Sequence, residues 1–196
     1  MRFEELKNTL KDLVLIGKGW RSYVYRANYN GIDLAIKVAK DKSVESAIRK
    51  EGDILELLKG IKHFPQIVLR GEDFIAYHFI DGVPFEKYPL TKEEKTKIYL
   101  QVLELAYVLD SMGISKDEFQ RLDRNLLIDK DGEVYLIDFE RGKYPSKRKT
   151  NLPQFLQLLV REGYITIERA IELGRSYAQK PEEVFHEVKR VISGSP

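Results

Sequence analysis

The stretch Leu34-Ala35-Ile36-Lys37-Val38-Ala39 places one lysine inside a run that is otherwise apolar. A short run of this composition predicts a β-strand that is buried on both faces. Burial of an ammonium group is costly unless a carboxylate or another acceptor lies beside it. We therefore expect Lys37 either to have an acidic partner inside the fold or to reach water from an edge strand.

The segment that follows the strand offers such a partner. Residues 43–58 have the apolar periodicity of an amphipathic helix. Glu51 falls near the middle of the apolar face of this helix, where a carboxylate needs a cationic neighbour. The pattern predicts an ion pair between Lys37 and Glu51, and the alternative is a glutamate that reaches water from the edge of the helix face. The apolar face itself is formed by Val44, Ala47, Ile54, Leu55 and Leu58.

A glycine-rich turn precedes the strand, within residues 13–25, which read LVLIGKGWRSYVY. Gly17 and Gly19 allow a backbone turn to approach a phosphate closely. The pattern is not a Walker loop, which needs Gly-x-x-x-x-Gly-Lys before Ser or Thr. It is not a Rossmann turn either, because residues 23–27 predict a strand and not a helix. It fits a nucleotide flap between two strands, and it also fits an ordinary glycine hairpin.

Residues 125–139 read NLLIDKDGEVYLIDF and predict a second hairpin, with its turn at residues 129–132. In an antiparallel pair around that turn, Asn125 and Asp138 would lie together at the open end. Amide and carboxylate oxygens are ligands that Mg²⁺ accepts. The hairpin therefore predicts a magnesium site, and the alternative is that Asp138 only caps a turn.

Helices dominate the second half of the sequence. Thr91 and Glu94 form a capping-box pattern that predicts the start of a helix, and Gly113 predicts its end. Short amphipathic helices are predicted at 152–161, 167–178 and 181–193.

In this order, the glycine flap, the strand lysine, the helix glutamate and the Asn and Asp hairpin resemble the protein-kinase-like fold over about residues 13–142. The chain is most similar to small prokaryotic and archaeal atypical kinases related to RIO kinases, to the kinase of the KEOPS complex and to lipopolysaccharide core kinases. The resemblance implies an α+β, two-lobed fold. Residues 1–82 would form a small antiparallel-sheet lobe with one helix and a hinge at 78–82, and residues 83–196 would form a truncated, mainly helical lobe.

The resemblance also implies roles for individual residues. Lys37 would hold the α- and β-phosphates of ATP while Glu51 positions it, and Asn125 and Asp138 would bind Mg²⁺. Tyr77 would be the gatekeeper. The remaining nucleotide contacts would come from Gly17, Gly19 and Ser22 in the flap, and from Val24, Ala35, His78, Ile80, Asp81 and Leu127 around the adenine and ribose.

Two departures from the family pattern affect the expected chemistry. The usual Asp-Phe-Gly is Asp-Phe-Glu here, with Glu140 in place of the glycine, and no Ala-Pro-Glu segment follows. In the catalytic loop, alignment on Gly113-Ile114 puts Glu118 at the position of the carboxylate base. Glu118 lies seven residues before Asn125 in place of the usual five.

Other carboxylates of this loop compete with Glu118. Asp117 and Asp123 are the alternatives for the base, while counting back five residues from Asn125 lands on Gln120, which cannot accept a proton. Arg121 would neutralise charge on the transferred phosphoryl group, or would form a salt bridge with Glu118 or Asp123.

Composition narrows the class of protein. The 196 residues carry 33 Lys and Arg against 31 Asp and Glu, a net charge of +2, and contain no cysteine. A disulfide scaffold, a thiol nucleophile and a cysteine-based metal site are therefore excluded. We find neither a signal peptide nor a membrane span in the sequence, so we expect a cytoplasmic protein.

One basic run stands out against this balance. Residues 141–150, RGKYPSKRKT, hold five basic residues and no acid. Such runs are usually solvated surface, but Arg141 to Lys149 could also recognise an acidic protein, an anionic lipid headgroup or RNA phosphates. Ser146 and Thr150 are candidate autophosphorylation sites.

These features predict an ATP- and Mg²⁺-dependent kinase that transfers the γ-phosphoryl group of ATP to a serine or threonine hydroxyl of an unknown acceptor. Three alternatives stay open: a kinase of the same fold that acts on a small molecule or an RNA-associated hydroxyl, a pseudokinase that binds ATP without transfer, and an RNA-binding α+β protein.

Overall fold

The computed structural model describes residues 1–194, which divide into two compact units. The first unit contains residues 1–81 and 137–141, and the second contains residues 82–136 and the chain from residue 142 onward. The predicted α+β class is confirmed, because the first unit is built on a five-stranded antiparallel sheet and the second is mainly helical.

The sheet of the first unit has the strand order β1-β2-β3-β5-β4. Its strands are β1 (Lys11–Lys18), β2 (Ser22–Tyr29), β3 (Ile32–Ala39), β4 (Ile67–Arg70) and β5 (Phe74–His78). The unit also contains α1 (Phe3–Leu6), α2 (Glu45–Leu57) and the 3₁₀ turns Lys7–Thr9 and Lys42–Val44. Asn30 and Gly31 both have positive φ, 50° and 85°, which is the geometry that joins β2 to β3 in a tight hairpin.

The side chains of the central strand β3 point to the two faces of this sheet in turn. Side chains alternate between the faces, so Leu34, Ile36 and Val38 share one side. They pack into a core cluster with α1 and with neighbouring strands. Lys37 lies on the opposite face, where the register pairs it with Val24 of β2 and Ile75 of β5. This core cluster thus lies on one side of the sheet, and Lys37 lies on the other side together with the buried side chains of Ala35 and Ile75.

The second unit is built around the long helix α3 (Lys92–Ser111). Thr91 caps its N-terminus by accepting a hydrogen bond from the Glu94 N–H, and Gly113 follows its end with φ of 73°. The predicted C-terminal helices are present as α4 (Asn151–Arg161), α5 (Ile167–Tyr177) and α6 (Pro181–Ser193). A small sheet of β6 (Val83–Pro84), β7 (Leu126–Ile128) and β8 (Val134–Leu136) and the 3₁₀ turn Phe85–Lys87 complete this unit.

Among the described residues, no helix combines the length and the apolar character that crossing a membrane would need.

Candidate functional site

Lys37 and Glu51 form a buried ion pair in the first unit. Lys37 Nζ lies 2.9 Å and 3.1 Å from the two carboxylate oxygens of Glu51. The two residues are 6% and 2% exposed, so neither charge reaches water freely. The ion pair therefore joins β3 to α2 within a contact that is otherwise apolar.

Two further carboxylates surround the same ammonium group. Lys37 Nζ lies 3.3 Å from Asp138 and 3.2 Å from Glu140. The Ser22 hydroxyl donates a hydrogen bond to Glu140 at 3.0 Å. One ammonium thus faces three carboxylates, and the cluster carries an excess of negative charge.

The net effect of burial and of the charges in this cluster is to raise the pKa values of both Lys37 and Glu51. Burial alone would lower the pKa of Lys37, but the carboxylates of Glu51, Asp138 and Glu140 outweigh burial and raise it. Burial raises the pKa of Glu51, with Asp138 and Glu140 acting in the same direction against the attraction of Lys37. Because both oxygens of Glu51 contact the ammonium, we assign the pair as ammonium and carboxylate at neutral pH.

Asp138 occupies an unusual backbone conformation. Its φ is 68°, in the left-handed region that side chains other than glycine rarely adopt. Non-glycine residues held in this region are concentrated at functional sites, where the surrounding structure maintains them. The side chain is partly exposed, at 43%, so its carboxylate is accessible while it still contacts Lys37.

The sheet places several of the predicted nucleotide contacts on the face of Lys37. Arg26 of β2 pairs with Ala35, Ala35 pairs with Tyr77, and Val24 pairs with Lys37, so the period of two aligns these side chains. The backbone N–H of His78 donates to the Gln66 carbonyl at 3.0 Å, so it is not available to an adenine ring.

Two of the other predicted nucleotide contacts, Ile80 and Asp81, come just after β5, and the third, Leu127, lies in β7. The backbone of Ile80 makes no hydrogen bond to another described residue. Asp81 is exposed, and its charge adds a small contribution to the raised pKa of Arg26, which results mainly from the hydrogen bond with Asp33. Leu127 belongs to the second unit, where it pairs with Pro84 of β6 and Tyr135 of β8.

The two flap glycines are not required by the protein's own packing. A Cβ at Gly17 would meet the Val24 side chain at 3.6 Å, and one at Gly19 would meet Ser22 at 3.5 Å, both ordinary contact distances. Neither glycine has positive φ. An alanine at either position would therefore fit the protein's own packing without strain.

The second unit carries the candidate catalytic loop. Asp117 and Glu118 have φ of 68° and 69°, two consecutive residues in the left-handed region. Asn125 donates a hydrogen bond from its side-chain amide to Glu118 at 3.0 Å. Of the three competing carboxylates, Glu118 thus contacts Asn125, Asp117 accepts a hydrogen bond from Gln154 at 2.9 Å, and Asp123 is exposed.

The structure tests one of the two roles predicted for Arg121, the salt bridge with Glu118 or Asp123. Arg121 is exposed and forms no ion pair with a described residue, so the predicted salt bridge to Glu118 or Asp123 is wrong. The side-chain oxygen of Gln120 is buried and has no hydrogen-bond partner among the described residues.

A buried polar network on α4 holds this loop in place, and the sequence analysis missed it. Asn151 is fully buried, accepts from the Lys116 N–H at 2.9 Å and donates to the Ile114 carbonyl at 2.7 Å. Its amide also donates to Asp110 at 2.8 Å, and Tyr177 donates to the same carboxylate at 2.7 Å. The sequence signal was Asp110 itself, because an acid in the last turn of a helix opposes the helix dipole.

The contact of Glu140 with Lys37 was also missed. The Asp-Phe-Glu departure was visible in the sequence, but it indicated only the loss of a flexible glycine. That the glutamate returns to the strand lysine depends on the path of the chain after β8.

The donor chemistry of the first unit fits a divalent cation. Oxygens of Glu51, Asp138 and Glu140 lie within 4.8 Å of one another, and hard cations such as Mg²⁺ prefer oxygen ligands. Glu51 is committed to Lys37 through both of its oxygens, so the partly exposed Asp138 is the better ligand.

No protein-family model matches the chain. The chain is similar to a protein of Bacillus subtilis (strain 168) named "Putative serine/threonine-protein kinase YrzF", with 31% identity over 143 residues. Those residues are 71% of the chain and 64% of the relative, so the chain spans less than two thirds of that protein. The similarity indicates a kinase-like protein in general.

Proposed function

We propose that the chain is an ATP- and Mg²⁺-dependent kinase of the atypical type that phosphorylates a serine or threonine hydroxyl. The observation that carries the proposal is the buried Lys37–Glu51 pair, with Asp138 contacting the same ammonium group. A strand lysine paired with a helix glutamate, together with an aspartate that binds Mg²⁺, is the arrangement that protein kinases use to orient nucleotide phosphates. The similarity to a protein named as a serine/threonine kinase supports the same function.

Lys37 would bind the α- and β-phosphates of ATP, because its ammonium is held in one position by Glu51 and cannot lose its proton at neutral pH. A fixed charge of this kind stabilises phosphates without a cost of reorganisation during the reaction. The flap residues Gly17, Gly19 and Ser22 would cover the phosphates from β1 and β2.

Asp138 would hold Mg²⁺, which when bound neutralises charge on the phosphates. Asn125, a residue of the second unit, stays a predicted Mg²⁺ ligand. Glu118 would accept the proton of the attacking hydroxyl. The hydroxyl oxygen forms a bond to the γ-phosphorus, the bond from that phosphorus to the β-phosphate oxygen breaks, and ADP leaves. The Asn125 amide orients the Glu118 carboxylate for this role.

A pseudokinase is the second candidate, and Glu140 is the observation that favours it. Its carboxylate contacts both Lys37 and Ser22, which are the groups that the phosphates would need.

The kinase proposal also includes a relationship to RIO kinases, to the KEOPS kinase or to lipopolysaccharide core kinases, and a cytoplasmic location.

The test is phosphoryl transfer from labelled ATP by the purified chain, with Mg²⁺ and a generic Ser/Thr acceptor protein, compared with Asp138→Asn and Glu118→Gln. We expect both variants to lose at least 100-fold in rate while their thermal unfolding changes little, since both side chains are partly exposed. Undiminished transfer by Asp138→Asn would contradict the metal assignment. ATP-dependent thermal stabilisation with no transfer by the unaltered chain would favour the pseudokinase.

A further inference from the structure

A basic segment of the second unit, defined here as residues 143–149, borders a cavity that the proposed phosphoryl transfer does not use. The segment is largely exposed and leads into α4. Lys147, Arg148 and Lys149 form no ion pair with another described residue. Three adjacent cations without acidic neighbours repel one another, so an anionic ligand would relieve that repulsion.

The cavity has a volume of about 480 Å³. Three of its eight lining residues are basic and none is acidic; the lining consists of Lys147, Arg148, Lys149, Thr150, Pro153, Gln154, Gln157 and Ala178. A second cavity of similar size, between α5 and α6, provides a contrast. There Arg169 and Arg190 both contact Glu187, so its charges already balance within the protein.

One wall of the basic cavity touches the candidate catalytic loop. Gln154 lines the cavity, donates to the Asp117 carboxylate at 2.9 Å and accepts from the Phe119 N–H at 3.2 Å. Asp117 and Phe119 flank Glu118 in sequence. A ligand held here would therefore lie beside the loop that carries the proposed proton acceptor, which is where a phosphoryl acceptor must come.

The shape and chemistry of the cavity favour a polypeptide over RNA. Proteins that bind single-stranded nucleic acid combine a charged groove with aromatic side chains on which bases stack. None of the eight lining residues is aromatic. A concave site that combines cations with amide and hydroxyl groups suits individual carboxylate side chains, which basic clusters bind in acidic motifs.

We propose that this cavity, with Lys147, Arg148 and Lys149, docks glutamate or aspartate side chains of the polypeptide that the protein phosphorylates. The proposal rests on the proposed kinase function, because it names the class of its acceptor. The acceptor would carry acidic residues close to the serine or threonine that is modified.

The experiment uses the full chain and two fluorescent peptides, one with a serine flanked by glutamates and one with the same serine flanked by glutamines. Binding is measured by fluorescence anisotropy without ATP. The test variant is Lys147→Glu/Arg148→Glu/Lys149→Glu. The matched control, Lys92→Glu/Lys97→Glu/Lys130→Glu, makes the same change of net charge at exposed lysines elsewhere in the second unit.

We expect the glutamate peptide to bind at least tenfold more weakly to the test variant than to the control, and the glutamine peptide to bind weakly to all three proteins. Adding salt should weaken the binding to the unaltered chain, because the contacts are exposed. The single variant Arg148→Ala should lose part of the affinity, which keeps the test valid if the triple variant unfolds.

Equal binding of the glutamate peptide to the test and control variants would overturn the docking surface. Tighter binding of a single-stranded RNA of equal charge, lost in the test variant, would overturn the choice of a polypeptide. Failure of the kinase proposal is separable. Binding that follows the expected pattern without any transfer from ATP would support the docking surface alone, whereas transfer with equal KM for both peptides would overturn it and leave the kinase standing.

Discussion

The carboxylate of Glu140 lies 3.2 Å from the ammonium of Lys37, at the sequence position where the kinase pattern has a glycine. The same carboxylate accepts a hydrogen bond from Ser22 in the flap. A negative group thus contacts both side chains, Lys37 and Ser22, that would bind phosphates. Nucleotide binding must displace this carboxylate or bring a cation that compensates for it.

Replacement of Glu140 by glutamine tests this relationship. Glu140→Gln keeps the shape and the hydrogen bond to Ser22 but removes one negative charge, so ATP should bind more tightly. Loss of about 1 kcal/mol of repulsion corresponds to about a fivefold lower Kd. Isothermal titration calorimetry with ATP measures it, and Glu72→Gln, at an exposed glutamate of the same unit, is the control. Weaker binding that depends on Mg²⁺ would instead show that Glu140 holds the cation.

The contribution of the buried Lys37–Glu51 pair to the stability of the protein can be measured without any assay of activity. Lys37→Met leaves the Glu51 carboxylate buried without its partner, and such changes cost about 3 to 5 kcal/mol. In Lys37→Met/Glu51→Met two apolar side chains replace the pair, so much of that loss should be recovered. Asp138 and Glu140 retain some access to water and need the ammonium less. Urea unfolding of the single and double variants gives the coupling energy, and additive losses would show that the two charges do not depend on each other.

The flap glycines should matter for ligand binding and not for folding. Gly19→Ala adds a methyl group at ordinary contact distance from Ser22, so unfolding should change by less than about 1 kcal/mol. In the proposed flap this methyl group would come against a phosphate of ATP, so ATP affinity should fall severalfold. Gly31→Ala gives the reverse pattern, because φ of 85° strains an alanine by about 1 to 2 kcal/mol far from the candidate site. Thermal shift with and without ATP measures both effects.

Asn151 should be essential for stability, because its buried side chain holds the candidate catalytic loop. Asn151→Ala removes the buried partner of the Lys116 N–H and of the Ile114 carbonyl, and each unsatisfied group costs about 1 to 3 kcal/mol. Asp110 loses one donor but keeps Tyr177 and two backbone N–H groups. We expect a loss of about 3 kcal/mol or more in urea unfolding. Exposed Gln179→Ala, just after α5, should change stability by less than about 0.5 kcal/mol. A similar small effect for Asn151→Ala would mean that the network is not needed for folding.

The elements of the fold were largely predictable because each has a local cause. The apolar run at Leu34–Ala39, the Asn30-Gly31 turn and the Thr91 cap each determine backbone geometry within a few residues. The pairing of Lys37 with Glu51 was also predictable, because two charges on apolar surfaces 14 residues apart have few other partners. These predictions needed only periodicity and the cost of burying charge.

The tertiary structure decided which distant residues join these local elements. Glu140 reaches Lys37 across more than 100 residues of sequence, and Asn151 reaches back to the loop at 114–116. The polarity of a buried side chain predicts that it needs a partner. Which residue becomes that partner depends on how the chain folds back in three dimensions. The sequence by itself therefore determined the strands, the helices and the charged pair of the candidate site. Only the folded chain showed that the Glu140 carboxylate contacts the lysine proposed to bind phosphates, and that a basic cavity lies beside the candidate catalytic loop.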